Sequence, residues 1–226
     1  KSIQDNAYTI VTIFVNPKQF APNEDLNNYP RTLNQDIDQV KKISKEKNII
    51  IFAPNDNSEI YPNNFDTTIS VGELSKCLCG KTRIGHFDGV TTVVYLLFAL
   101  INPTISYFGQ KDYQQFQIIK RMVKDLNLTV KLKMLPIIRD HNGLALSSRN
   151  QYLSSQDYKT ALILPSSIKI ISRLAKNNFN LEIIRSNINK IIKEYQGWEY
   201  LEFLDADTLR PPNQSTQLFL VAGALK

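Results

Sequence analysis

The sequence predicts an α/β protein in which strands and helices alternate through residue 138, followed by a smaller α+β domain. Short, continuously apolar segments have the length and β-branched content of strands buried on both faces of a parallel sheet. The segments between them repeat apolar residues with the 3.6-residue period of a helix. This alternation favours right-handed crossovers and a mostly parallel sheet. A chain of 226 residues suits one or two domains.

The first third of the chain is expected to form two strands with a helix between them. Tyr8–Val15 is an apolar run that ends before Pro17, and Asn48–Ala53 is a second run, which a proline also follows. Thr32 is expected to open the helix, because Gln35 stands three residues later as the partner of a capping box.

Five further elements complete the predicted layer. Thr67–Val71 is a candidate short strand, and Gly89–Ile101 is a helix that is apolar on nearly all sides. Thr104–Phe108 and Val130–Ile138 are strands, with the helix Asp112–Leu126 between them.

The chain is expected to divide into residues 1–139 and 140–226. In the second part, Ser154 is an expected helix N-cap, and Pro165 is expected to kink or split the helix that follows. The remaining predicted elements are the helix Leu181–Tyr195 and the strands Tyr200–Leu204 and Leu218–Ala222.

Composition restricts the function classes. A chain with 42% hydrophobic and 21% charged residues is an ordinary globular protein. The net charge of +6 admits a nucleic acid or an acidic small molecule as partner, but the lysines are spread along the chain. Cys77 and Cys79 are too close for a disulfide and too few for a zinc site. The apolar run Val93–Ile101 is too short to span a membrane.

The stretch from Thr104 to Gln115 is the first candidate site. It predicts a strand, a turn at Gly109 and the start of a helix, and ligands bind at such junctions in open α/β sheets. Helix N-termini favour anions, and Lys111 adds a positive charge there. The alternative interpretation is an ordinary surface loop.

Three other segments carry polar groups suited to a ligand. Ser147, Ser148 and Arg149 could clamp a phosphate, or could simply be a helix cap beside a surface arginine. Asn16 and Gln19 follow a buried strand and could orient a hydroxyl or carboxylate, or could cap the loop. The basic, glycine-rich segment 79–90 precedes a helix but lacks Walker A spacing, and its histidine is interpreted as packed or capping rather than as a general base.

These segments occur together, in an order that is more specific than any one of them. The shared motifs are Phe14–Phe20, Tyr29–Thr32, Phe52–Pro54, Gly85–Val90, Tyr107–Gln115 and Gly143–Asn150. The set resembles the pantoate–β-alanine ligase family, and the resemblance runs from about Tyr8 to Leu225, densest before residue 155.

The resemblance implies a nucleotidyltransferase-type Rossmann fold with a small C-terminal lid domain, in a cytoplasmic homodimer that binds neither nucleic acid nor membrane. It implies that ATP and Mg²⁺ convert pantoate into pantoyl adenylate and pyrophosphate. β-Alanine then displaces AMP to give pantothenate. No metal-ligating residue is expected in the chain.

The resemblance also implies individual roles. Pantoate and β-alanine would be bound by Asn16, Gln19, Tyr29, Arg83, Val94 and Gln115. ATP would be bound by Phe108, Gly109, Gln110, Lys111, Asp112, Pro136, Ile138, Leu146, Ser147, Ser148 and Arg149. The catalytic groups among these would be Lys111, Ser147, Ser148 and Arg149. Gln110 stands where the family usually has glutamate, and Asp88 where a basic residue is common.

One family segment has no counterpart in the sequence. Upstream of the Phe-Val-Asn-Pro strand the family reads roughly Pro-Thr-Met-Gly-Ala-Leu-His-x-Gly-His, and one of its histidines is assigned proton donation. Neither His86 nor His141 lies in such a setting. We expect the natural protein to contain this segment and a last strand after Leu225, because a sheet without a central strand would bury unpaired backbone groups.

Two other functions stay open from the sequence. A related nucleotidyltransferase with another acceptor would share the Rossmann core, but it would not explain why Gln19 and Gln115 both stand at the mouth of the site. A basic nucleic-acid-binding module would show an affinity that falls steeply with salt.

Overall fold

The computed structural model describes residues 1–22, 24–44, 48–177 and 180–225, and it has a mixed α/β architecture. The chain divides into two units, Lys1–Leu135 and Pro136–Lys226, whereas the sequence placed the boundary after Arg139. The elements of the first unit are α1 (Ser2–Asp5), β1 (Thr9–Thr12), α2 (Leu33–Ser44), β2 (Ile49–Phe52), α3 (His86–Ile101), β3 (Ile105–Gly109), α4 (Tyr113–Asp125) and β4 (Lys131–Leu135). Those of the second unit are α5 (Ser155–Ala161), α6 (Ile163–Asn177), α7 (Leu181–Glu194), β5 (Trp198–Asp205) and β6 (Phe219–Leu225).

Parallel strand pairs form the framework of the first unit. β1 pairs with β2, with Thr9 opposite Ile49, and β3 pairs with β4, with Ile105 opposite Lys131. Within the described residues the two pairs are not hydrogen-bonded to each other, and within each pair the strands run parallel, as the sequence predicted. β4 also ends at Leu135, three residues before the predicted end.

The segment Thr67–Val71, predicted as a strand, is not one. Its backbone is bound to threonine side chains of α3 instead: the Ile69 N–H donates to Thr92 Oγ1 at 3.0 Å, and the Thr91 hydroxyl donates to the Ile69 carbonyl. Because these partners are side chains of one helix, the segment lies along α3 and adds no strand to the sheet.

Helix α3 begins at His86, three residues before the predicted start, and follows Gly85, whose φ of 78° favours glycine. The prediction of burial on nearly all sides holds for its first half only. Residues 89–93 are buried, but Leu100 near the C-terminal end is 58% exposed. The N-terminal half of α3 is therefore the part that packs against other segments of the protein.

Capping and proline chemistry shape the second unit. The Ser154 hydroxyl accepts from the Asp157 N–H while the Asp157 carboxylate accepts from the Ser154 N–H, which forms a capping box at the start of α5. Pro165 lies in the first turn of α6, where it is tolerated, and the predicted helix is split between α5 and α6. β5 and β6 are antiparallel, and their core includes Ile171, Ile184 and Trp198.

Candidate active site

The C-terminal end of β3 delivers a charged turn to the start of α4. β3 ends at Gly109, the tight turn Gln110–Asp112 follows, and α4 begins at Tyr113. Lys111 and Asp112 are exposed, and the Lys111 Nζ lies 3.1 Å from Asp112 Oδ1. A positively charged ammonium therefore stands at a helix N-terminus, which is a favourable setting for an anion.

Two adjacent glutamines at the start of α4 have different environments. Gln114 is buried; its Nε2 donates to the Leu74 and Cys77 carbonyls at 2.9 and 2.6 Å, and its Oε1 accepts from the Cys79 N–H at 3.2 Å. Gln115 is half-buried, and its amide has no hydrogen-bond partner among the residues that the structure describes. Gln114 thus anchors the segment before α3, whereas Gln115 keeps its amide available to a ligand.

Asn16 is a buried hub that orients Gln19. Its Nδ2 donates to the Gly89 carbonyl at 3.0 Å and to Gln19 Oε1 at 3.2 Å. Its Oδ1 accepts from the Lys18 N–H at 3.2 Å and from the Tyr61 hydroxyl at 2.6 Å. Burial raises the pKa of Tyr61 to about 12, so this hydroxyl stays protonated as a donor. Because Gln19 Oε1 accepts from Asn16, the Gln19 Nε2 is the group left to meet a ligand.

Arg83 is bound on several sides by other protein groups. Its Nε donates to Glu24 Oε1 at 2.9 Å and its Nη2 to Glu24 Oε2, which is a bidentate pair. Its Nη1 lies 3.0 Å from His86 Nε2, and His86 Nδ1 lies 2.8 Å from the Gln19 carbonyl. The hydrogen bond from Arg83 lowers the pKa of Glu24 below its ordinary value. The structure therefore places Arg83 beside Gln19, with its fork already directed at a carboxylate of the chain.

Two more residues from the predicted substrate site lie in the first unit. Tyr29 is half-buried, and its ring packs edge-on against Phe20 at 5.5 Å. Val94, on α3, is partly buried against two apolar clusters, one of which contains Phe108 at the end of β3. The cluster therefore brings Val94 of the substrate set together with Phe108 of the nucleotide set.

The predicted nucleotide residues after Leu135 lie in the second unit. The Leu146 N–H donates to the Ile138 carbonyl at 2.9 Å, and both side chains are exposed, Ile138 by 66% and Leu146 by 52%. Pro136 is also exposed. Ser147 precedes a tight helical turn, where its hydroxyl accepts from the Arg149 N–H at 3.3 Å, and the Ser148 and Arg149 side chains are exposed. The second unit thus presents an apolar pair next to hydroxyls and a guanidinium.

Sequence reasoning missed two residues of the first unit. Glu24 binds Arg83 across 59 positions, and Tyr61 binds Asn16 across 45. No periodicity or motif spacing indicates such pairings, because they depend on how the loop after β1 folds back on α3. The only local signal is that Glu24 lies in a loop rich in polar side chains.

The comparisons with known proteins decide the family. A family model described as pantoate-beta-alanine ligase matches residues 1–226. The chain belongs to the pantoate–β-alanine ligase family. The pantothenate synthetase of Thermosipho africanus is 42% identical over 223 residues, which is 98% of this chain and 79% of that protein. The match selects the ligase from the functions that the sequence left open.

Solved structures agree with the assignment. Pantothenate synthetase from Thermus thermophilus superposes with a TM-score of 0.88 at 35% identity, covering 98% of this chain and 81% of that one. A pantoate–β-alanine ligase from Francisella tularensis, complexed with beta-gamma ATP and β-alanine, gives a TM-score of 0.71 at 33% identity, covering 98% and 80%. The chain therefore spans about four fifths of these pantoate–β-alanine ligases.

As a pantoate–β-alanine ligase, the protein forms pantothenate from pantoate, β-alanine and ATP. Over the described ranges, no helix has both the length and the apolar character needed to cross a bilayer. In the same ranges, no group of three or more His, Cys, Asp or Glu side chains is placed to hold a metal ion.

Proposed function

We propose that the ligase works in two steps through a pantoyl-adenylate intermediate. A carboxylate oxygen of pantoate attacks the α-phosphorus of ATP, and pyrophosphate leaves. The amine of β-alanine then attacks the acyl carbon, forming the amide and releasing AMP. The observation that supports this most directly is the β3–α4 junction, where the exposed Lys111 at a helix N-terminus suits a polyphosphate. Gln115, whose amide has no hydrogen-bond partner in the described part of the chain, lies one turn further on.

The nucleotide is assigned to two sets of residues. In the first unit, Lys111 meets the phosphates, Asp112 the ribose, and Phe108, Gly109 and Gln110 line the turn. In the second unit, the exposed pair Ile138 and Leu146, with Pro136, offers an apolar surface to the adenine. Ser147, Ser148 and Arg149 supply hydroxyls and a bidentate fork to the triphosphate.

Pantoate is assigned to the amides of Gln19 and Gln115, with Tyr29 and Val94 as neighbours. The Gln19 Nε2 is left as a donor by the bond from Asn16, and a donor is what a carboxylate or hydroxyl oxygen needs. Gln19 also borders the place of β-alanine. Asn16 and Arg83 border this site, and their contacts with other protein groups assign them to supporting it.

The chemistry requires charge stabilisation and no covalent enzyme nucleophile. Negative charge develops on the phosphoryl oxygens and on the departing pyrophosphate, and Lys111 and Arg149 are cations suited to stabilise it. Mg²⁺ fits as an ion carried by the triphosphate, because Mg²⁺ in such sites takes most of its ligands from phosphate and water.

The finer architecture belongs to the same proposal. We assign the first domain to a nucleotidyltransferase-type Rossmann fold and the second to a lid, in a cytoplasmic homodimer. The parallel pair β3–β4 with α4 between its strands is a βαβ unit, the unit from which a Rossmann fold is built.

Oxygen labelling tests the intermediate. With ¹⁸O in the carboxylate of pantoate, one labelled oxygen is expected in AMP, since the carboxylate oxygen that attacks phosphorus stays with AMP when the amide forms. Label in inorganic phosphate, with ADP as the nucleotide product, would replace the adenylate by an acyl phosphate.

A further inference from the structure

The turn that carries Gln19 is packed directly against α3. Gly89 of α3 has no side chain at the contact, and a Cβ there would overlap the Lys18 backbone and stand 2.6 Å from the Gln19 nitrogen. The Gly89 carbonyl also accepts from Asn16, which in turn donates to the Gln19 side chain. Helix α3 therefore fixes the position of the Gln19 backbone, and the position of that backbone determines where the Gln19 side-chain amide lies.

The neighbours of His86 determine which of its nitrogens carries the proton. Arg83 Nη1 is always a donor, so His86 Nε2, 3.0 Å away, accepts. The Gln19 carbonyl is always an acceptor, so His86 Nδ1, 2.8 Å away, carries the hydrogen and donates. The ring is thus neutral with its proton on Nδ1, and the lone pair that a general base would need is engaged by Arg83.

Glu24 and Arg83 keep the imidazole in place. The two side chains are mostly buried, with 20% and 26% exposure, and pair through two hydrogen bonds. Arg83 Nη2 also lies 3.5 Å from the Gln19 carbonyl. His86 itself is buried, with its ring edge-on to Phe87 at 4.8 Å. A series of hydrogen bonds therefore runs from Glu24 through Arg83 and His86 to the backbone carbonyl of Gln19. The side chain of Gln19 is the group assigned to the substrate.

We propose that His86 is a positioning residue for Gln19, held in its neutral Nδ1–H form by the Arg83–Glu24 pair. The proposal rests on the assignment of Gln19 to pantoate and β-alanine. It places the role of His86 in substrate binding through Gln19, and not in proton transfer.

Two substitutions separate the two nitrogens of the ring. His86→Asn puts an amide near the position of Nδ1 and retains a donor for the Gln19 carbonyl, whereas His86→Gln reaches the position of Nε2 and loses that donor. In the intact enzyme, H86Q is expected to raise KM for pantoate and β-alanine about five- to tenfold, as the loss of one hydrogen bond implies. KM for ATP stays within about twofold, and H86N, which keeps the donor to the Gln19 carbonyl but loses the contact with Arg83, raises KM for pantoate less than H86Q does.

A cycle with Gln19→Ala distinguishes positioning from a general loss of structure. If His86 acts through Gln19, H86Q changes KM for pantoate in the wild-type background and adds nothing in the Q19A background. Equal effects in both backgrounds, or a selective rise in KM for ATP, would overturn the proposal. A Q19A variant with unchanged KM would instead refute the assignment of Gln19, so the two failures are distinct.

Folding controls keep the test decisive. Thermal unfolding of H86Q is compared with that of His141→Gln, a substitution of an exposed histidine in the second unit. If H86Q does not fold, Glu24→Gln takes its place, because it weakens the pair that holds the ring. E24Q is expected to raise KM for pantoate in the same direction and again only while Gln19 is present. An E24Q variant with unchanged KM would contradict the proposal.

Discussion

Gln114 and Gln115 are neighbours in sequence with opposite environments. Gln114 is expected to be structural: Gln114→Ala would leave two carbonyls and one N–H of the 74–79 segment without their partner, at a cost of about 1–3 kcal/mol in the free energy of unfolding. Gln115→Ala is expected to leave stability unchanged and raise KM for pantoate more than KM for ATP. Steady-state kinetics and chemical denaturation on both variants make the comparison, and a reversed pattern would contradict both assignments.

Lys111 carries the prediction about the first chemical step. Lys111→Ala removes the exposed ammonium from the N-terminus of α4 and is expected to slow pantoate-dependent pyrophosphate release about 100- to 1,000-fold, in the range of other lost electrostatic contacts to a transition state. Lys124→Ala, an exposed lysine on the same helix, is the matched control. Near-normal release by K111A would exclude the phosphate role.

At the residue scale the sequence predicted the types of groups but not their partners. Gln19, Lys111 and Gln115 could be chosen because they stand in the ordered motifs that carry the family resemblance. That Arg83 is engaged by Glu24 could not be predicted, since side chains 59 positions apart meet only after the loop has folded. For the same reason, the hydrogen bond from the Tyr61 hydroxyl to Asn16 could not be predicted.

The contact of α3 with the Gln19 turn gives a prediction at the scale of the element. Gly89→Ala would place a Cβ against the Lys18 and Gln19 backbone, so the helix and the turn must separate. We expect a loss of about 1–3 kcal/mol in unfolding free energy together with a higher KM for pantoate. Ala99→Ser, on the exposed end of α3, serves as control. Wild-type stability and KM in G89A would show that the turn does not depend on this close approach.

Most helices and strands could be predicted from local signals such as prolines and capping residues. The predictions that failed depended on contacts between residues far apart in the sequence. Pro165 was expected to split or kink its helix, and it does lie where α5 gives way to α6. Thr67–Val71 has strand-like residues, but the hydroxyls of α3 satisfy part of its backbone. At the start of α2 the Thr32 hydroxyl contacts the Asp36 carboxylate at 3.4 Å and not Gln35, because the residue four positions later is also within reach.

At the scale of the whole molecule, the family and the reaction followed from the order of six motifs, but the pairing of strands did not. An alternating pattern predicts parallel neighbours without saying which strands are hydrogen-bonded, and the described residues contain two separate pairs. The sequence places the domain boundary after Arg139, four residues beyond the division at Leu135, because Pro136–Ile138 continues the apolar character of β4.

Nucleotide binding by the second unit is the prediction that belongs to this scale. If Ser147, Ser148 and Arg149 bind the triphosphate, ATP should slow hydrogen exchange in residues 147–150, whereas pantoate alone should not. The helix α7 in the same unit provides the reference segment. Exchange at 147–150 that is unchanged by saturating ATP would remove these residues from the nucleotide site.

The central claim, that pantoate is activated before β-alanine is used, is tested most directly by pyrophosphate release in the absence of β-alanine. The intact enzyme, mixed with ATP, Mg²⁺ and pantoate alone, is predicted to release about one pyrophosphate per active site in a single burst, since the adenylate has no amine to react with. Omitting pantoate should abolish the burst. Release that begins only when β-alanine is added would contradict the adenylate route and require all three substrates to react together.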